Sequence, residues 1–236
     1  KDENVKELIT DEEQLREISE FMDINKEYKD IKRTFLELKA TMEAKDLYAL
    51  SAPQIGKLQR IFCIRDKKGV HCFVNPMIQK STDVALSRER DENFPDKEYL
   101  HFRSSRLTME YQDQYTKQNR ATEQVGYSAF VFQRMIDHLN GALTSDIGLE
   151  IDELWDDATD EERAEVIKAY VESLNRLNEK LNEEIDGNEH LKKQMKAIEF
   201  EHALLSGEVE VEQRKVTEEE KEQIEAKLKQ VAEENK

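Results

Sequence analysis

The chain has 236 residues with 53 acidic and 36 basic side chains, a net charge of −17; 38% of it is charged, 37% is hydrophobic, and it holds only 7 Gly and 3 Pro. That composition excludes collagen-like and Pro/Gly-rich chains, and no run approaches the roughly 20 apolar residues that span a bilayer. The excess acid repels polyanions, so neither nucleic acid nor anionic membrane is expected as a partner, and the length suggests about one to two domains.

Two helical patterns come first. Thr10 and Glu13 form a capping box before Leu15, Ile18 and Phe21, and Tyr28, Ile31, Phe35, Leu38 and Met42 then recur every three or four residues, the stripe of a packed helix. From Leu47 the period changes. Arg60–Arg65 and Val70–Val74 are short β-branched and aromatic runs around Asp66-Lys67-Lys68-Gly69, which predicts a β-hairpin. Cys63 and Cys72 fall in these runs without metal-site spacing. With no signal-peptide pattern visible, the expected setting is the reducing cytoplasm, where a disulfide across the hairpin is disfavoured. Leu107–Tyr111 alternates as a further strand, and Ser128–Leu143 returns to helical spacing through Phe132, Met135, Ile136 and Leu139. The result is an α+β domain over residues 1–150.

The remainder differs in kind. Residues 151–236 hold 26 acidic and 13 basic residues, net −13, against net −4 for residues 1–150, and all three prolines precede them. Composition shifts between Gly148 and Asp157, which sets the expected boundary. Thr159 and Glu162 form a second capping box ahead of Ile167, Tyr170, Leu174, Leu177 and Leu181. After Asp186-Gly187-Asn188 the spacing resumes through Leu191, Met195, Ile198, His202 and Leu205. This predicts an all-α extension: a helical hairpin over 159–206, a short strand at Val209 and Val211, and a last helix over 217–235. Trp155 is expected to anchor it on the domain. Narrow seams bury little alone, so the extension is expected to pack on the domain, a copy of itself or a protein partner.

Three segments, in order, carry a family resemblance. Leu50-Ser51-Ala52-Pro53-Gln54-Ile55-Gly56 resembles the first motif of peptide deformylases, G-φ-G-φ-A-A-P-Q-φ-G, and Phe132 to Gly141 resembles their third, Q-H-E-φ-D-H-L-N-G. Between them, Ile61–Pro76 sits where the family has a strand pair ending in Asn-Pro, here Asn75-Pro76. The resemblance covers about residues 5–147 and implies a metallohydrolase fold that removes formyl from nascent N-terminal methionine.

In that family the H-E-x-x-H spacing puts two imidazoles on one helix face to grip a metal, with the glutamate as general base toward its bound water. Aligned on His138, this chain has Arg134 at the first histidine and Met135 at the glutamate, and Glu89-Arg90-Asp91-Glu92-Asn93 stands where the second motif E-G-C-L-S falls, with Asp91 at the metal-binding cysteine. Only His138 of the implied ligands remains, with Asp91 or Glu92 as an oxygen substitute beside a fixed cation that repels a divalent ion. No metal or other cofactor is expected, His138 and Asp91 being the residual candidates. Gln54, which in the family helps bind the oxyanion, is retained, with packing of its loop as the alternative role. Arg134 is expected either to pair with Asp91 or Glu92 or to point to solvent. His71, His101, His190 and His202 lack ligand spacing and are expected to be ordinary histidines.

The expected function is therefore a catalytically inactive deformylase-like protein, acting as a structural or assembly subunit, of a bacteriophage particle by analogy, through residues 151–236. It would reside in the cytoplasm or in a virion. Two alternatives stand beside it: a divergent metal-dependent amide hydrolase using His138 with Asp91 or Glu92, and a non-hydrolysing binder of formyl-methionyl peptides through the Gln54 loop.

Overall fold

The computed structural model describes residues 3–187. In chain order the helices are α1 (Glu12–Leu15), α2 (Tyr28–Lys45), α3 (Tyr127–Leu139), α4 (Thr144–Ile147), α5 (Glu153–Asp157) and α6 (Asp160–Asp186). The strands are β1 (Ala49–Ser51), β2 (Ile61–Asp66), β3 (Gly69–Asp91), β4 (Phe94–Asp113), β5 (Asn119–Val125) and β6 (Leu149–Ile151), with a 3-10 turn at Pro53–Ile55. Strands β1 to β5 pair in chain order, each antiparallel to the next, and β6 adds to the N-terminal end of β4. This is the α+β arrangement that the sequence predicts.

The alternation of side chains along β2 places the core. Ile61 and Cys63 face α2 and pack with Ile31, Leu38 and Met42, whereas Phe62 and Ile64 face α3 and pack with Phe132, Met135 and Leu139. Both faces of this strand are covered, so it reads as an unbroken apolar run. Cys63 and Cys72 stand directly opposite one another in the β2–β3 register and are joined by a disulfide, which corrects the expectation of free thiols.

The N-terminal expectation is also corrected. Asp11, not Thr10, caps α1 by accepting the Glu13 backbone N–H, and the helix is a single turn. Ile18 and Phe21 lie beyond it and are 69% and 63% exposed, because the chain there turns to hydrogen-bond Leu139 and Leu58 instead of continuing the helix.

Strands β3 and β4 form a long ribbon, of which the sequence predicts only Val70–Val74 and Leu107–Tyr111. Register shifts between Val74 and Met77 and between Ile78 and Lys80 break its alternation. At its far end Asp91 pairs with Phe94, so Glu92-Asn93 forms the two-residue turn that carries the second-motif stretch to the site.

The chain divides into compact units Lys1–Asn178 and Glu179–Lys236. Within the first, Tyr170 of α6 stacks on Phe102 of β4 with ring centroids 5.4 Å apart and donates its hydroxyl to the Ile147 carbonyl. Arg88 forks onto Asp156 at 2.7 and 3.0 Å, which ties α5 to β3. Trp155 is half-buried, with the Arg163 guanidinium over its ring. The Thr159–Glu162 capping box is present in both directions, and α6 ends at Asp186 before Gly187, where the sequence places a break. The second arm of the expected hairpin, the short strand, the helix over 217–235, His190 and His202 lie outside the described residues. No helix among the described residues is long and apolar enough to cross a membrane.

Candidate functional site: a buried ion-pair cluster at the ribbon tip

The site forms where the β3–β4 turn meets α3 and the 3-10 turn. Arg134 and His138 are four apart on α3, hence on one face, and that face looks at the ribbon tip. Arg134 Nη2 donates to Glu92 Oε1 at 2.7 Å, with both side chains nearly inaccessible. His138 Nε2 lies 2.7 Å from Asp91 Oδ2, a close ion-pair contact away from the line of an ideal hydrogen bond, and its Nδ1 has no hydrogen-bond partner among the described residues. Met135, between them on the helix, is fully buried in the apolar layer between α3 and the sheet.

Gln54 closes the cluster from the first motif. Its Oε1 accepts from the Ser51 N–H at 2.8 Å and from the Ser51 hydroxyl at 3.0 Å, and its Nε2 donates to Glu92 Oε2 at 3.0 Å and Asn93 Oδ1 at 2.7 Å. Both ends of the amide are thus engaged inside the protein. Gly56 holds φ +82 at the end of the turn, a left-handed conformation that glycine adopts without strain. Asn93 fixes the turn by accepting from Gln54 and donating to the Ile9 carbonyl, while Asp91 Oδ1 accepts the Asn93 N–H at 2.9 Å.

A second layer lies behind. Glu89 receives Arg103 at 2.8 and 3.0 Å on its two oxygens and the Ser87 hydroxyl at 2.6 Å, and Arg103 also donates to Asp137. The sequence gives no signal for Arg103 as a site residue, because pairing across ribbon and helix leaves no trace in linear spacing, whereas Asp137 stands at the D of the third motif and only its partner was hidden. His71 pairs with Asp66 away from the site, and His101 is buried against the Phe102 carbonyl.

The electrostatics follow from burial against pairing. Burial alone would lower His138, but the Asp91 carboxylate overrides it and the imidazole titrates above its ordinary value. Burial would raise Asp91, yet His138 and the Asn93 N–H hold it below the usual carboxylate range. Arg134 is kept charged against burial chiefly by Glu92, and Glu89 is lowered against burial by Arg103. With His138 protonated, three cations (Arg103, Arg134, His138) face two buried carboxylates, Glu89 and Asp91, and the nearly buried Glu92.

A family model for polypeptide deformylase matches residues 5–150. The chain belongs to the polypeptide deformylase family. The peptide deformylase of Thermotoga maritima is 33% identical over 119 residues, 50% of this chain and 71% of that protein. The crystal structure of a Thermotoga maritima peptide deformylase superposes with a TM-score of 0.55 at 28% identity, covering 60% of this chain and 96% of that one. A deformylase structure from a Vibrio parahaemolyticus bacteriophage, in complex with actinonin, gives 0.51 at 29% identity, covering 58% and 96%.

The deformylase family implies a metal, and Asp91, Glu92 and His138 offer donor atoms within 4.8 Å of one another. Their arrangement does not fit one. Donors bonded to a tetrahedral ion at about 2.0–2.1 Å stand roughly 3.4 Å apart, whereas His138 Nε2 and Asp91 Oδ2 touch at 2.7 Å. Both Glu92 oxygens are committed, to Arg134 and Gln54, and the guanidinium is a fixed positive charge beside any incoming cation.

Proposed function

We propose that this deformylase-fold protein has exchanged its catalytic centre for a buried ion-pair cluster and acts by binding other proteins, as a structural or assembly subunit. The observation that carries this reading is Arg134 on Glu92 at the ribbon tip, where an enzyme of the family would hold its metal ligands. Met135, in place of the general base, lies in the apolar core and has no proton to exchange. The acidic α5–α6 segment, tied to the domain by Arg88 and Tyr170, presents the contact surface. A bacteriophage particle is the context we favour, by analogy with the bacteriophage deformylase among the structural relatives.

The test is metal analysis of the purified protein together with turnover of formyl-Met-Ala-Ser. Neither stoichiometric metal nor deformylation is expected, and both together would overturn the reading. Their appearance would favour the second reading, a divergent metal-dependent amide hydrolase, for which the convergence of Asp91, Glu92 and His138 speaks. Binding of formyl-methionyl peptides through Gln54 is the weaker reading, because its amide is already engaged at both ends.

A further inference from the structure

Away from the ion-pair cluster, β6, α5 and the first turns of α6 enclose a groove of about 700 Å³. Its apolar surface comes from Leu149, Ile151, Leu154, Trp155 and Val166. Two of these are unusually open for a docked element, Leu154 at 72% and Val166 at 43% exposure. The rim is acidic, with Glu150, Asp152, Asp157 and Glu162. Strand β6 pairs only with β4 among the described residues, which leaves its outer edge on this side open.

We propose that this groove is a docking site for a basic, amphipathic segment of a protein partner, one that seats a large apolar side chain against Leu154 and Trp155 and sets Lys or Arg against the rim. The proposal rests on the protein-binding reading above and gives that partner a chemistry. Charge complementarity selects the occupant. Residues 149–166 hold nine acidic side chains and one basic one, Arg163, and Asp157 has no ion-pair partner among the described residues. A second copy would bring the same sign of charge against it, and nucleic acid or anionic lipid would be repelled likewise. A cationic segment gains from steering toward the rim and from burying apolar surface in the floor, the usual division between rate and affinity.

The only tryptophan of the chain, Trp155, lines this groove and reports on it directly. The experiment titrates the full-length protein with a cationic amphipathic peptide of leucine and lysine, and in parallel with a serine and lysine peptide of equal charge, following Trp155 emission. The leucine peptide is expected to give a saturable blue shift, with the serine peptide binding at least about tenfold more weakly. Leu154→Asp, at an exposed position that does not carry the fold, adds negative charge while removing the apolar anchor, and is expected to weaken the leucine peptide by about tenfold or more.

Equal binding of the two peptides, or stronger binding to Leu154→Asp, would reduce the effect to bulk electrostatics and overturn the proposal. So would a blue shift on concentrating the protein alone, which would make a second copy the occupant. Emission already buried in the isolated protein, with no response to peptide, would mean that the chain itself fills the groove, and would overturn it too. Formyl-Met-Ala-Ser turnover, measured on the same preparation, separates the two readings: an active protein that still binds the leucine peptide loses the inactive reading and keeps the groove.

Discussion

Arg134 Nη2 donates to Glu92 Oε1 at 2.7 Å across the gap between α3 and the β3–β4 turn, with Arg134 buried and Glu92 nearly so. Removing one member of such a pair leaves the other charge without compensation in a low-dielectric site. Arg134→Ala is therefore expected to lower unfolding free energy by about 3–5 kcal/mol, read from urea denaturation. The double variant Arg134→Met with Glu92→Gln removes both charges and should recover a large part of that loss. Parent-like stability of Arg134→Ala would remove the basis for a structural cluster.

The His138–Asp91 contact gives a pH dependence of definite sign. His138 is raised in the fold, so its contribution is complete below the unfolded value of about 6.5 and is lost as pH rises through the folded value. Asp91 is lowered, so its share is present above about 3.9 and is lost as pH falls through the depressed value. His101, lowered by burial and by Arg103, works against His138: it is neutral in the fold and costs stability as pH falls below about 6.5. The comparison that isolates the pair is wild type against Asp91→Asn. Thermal melting should show the advantage of wild type largest in weak acid and shrinking toward alkaline pH; parallel curves would contradict it.

Much of this arrangement could be read from the residues, and the failures have physical causes. The stripe from Tyr28 to Met42 and the run Ile61–Ile64 were legible because each is buried in one way along its whole length. Arg134 and His138 were legible as neighbours because helical spacing is local. The extended ribbon was not, since Arg88, Glu89, Arg90 and Asp91 look like a solvated charge run until Glu98, Arg103 and His138 are brought against them from other elements. Its bulges also hide the two-residue alternation. Ile18 and Phe21 misled for the converse reason: helical spacing continues there after the backbone has left the helix to bond with Leu139 and Leu58. The Cys63–Cys72 bond was missed for another reason: the predicted hairpin already sets the two thiols across from one another, and only the expected reducing compartment spoke against joining them.

Gly141, in the third-motif sequence Leu139-Asn140-Gly141, is held by backbone approach and not by chemistry. It has φ +71, and a Cβ there would stand 2.2 Å from the Arg16 carbonyl oxygen, which is backbone and has little room to yield. Gly141→Ala should lower the unfolding free energy by well over about 1 kcal/mol, read from urea denaturation. Gly69→Ala is the control: it shares a positive φ, +123, but has nothing within 4 Å, so it should pay backbone strain alone. Equal losses at the two positions would refute the close-approach account.

Rewriting the third motif should not reverse the change at the site. Arg134→His with Met135→Glu restores the H-E-x-x-H spelling, but Met135 is fully buried among Leu107, Met109 and Phe132, so its replacement puts a carboxylate into an apolar layer. Asp91 is engaged by His138 and by the Asn93 N–H in the parent, and Glu92 would lose the guanidinium that neutralises it. The double variant is therefore expected to melt well below the parent and to hold no stoichiometric zinc after dialysis against excess metal, measured by elemental analysis. One zinc per chain with a parent-like melting temperature would overturn the proposal that the ion-pair cluster stands in place of a metal site.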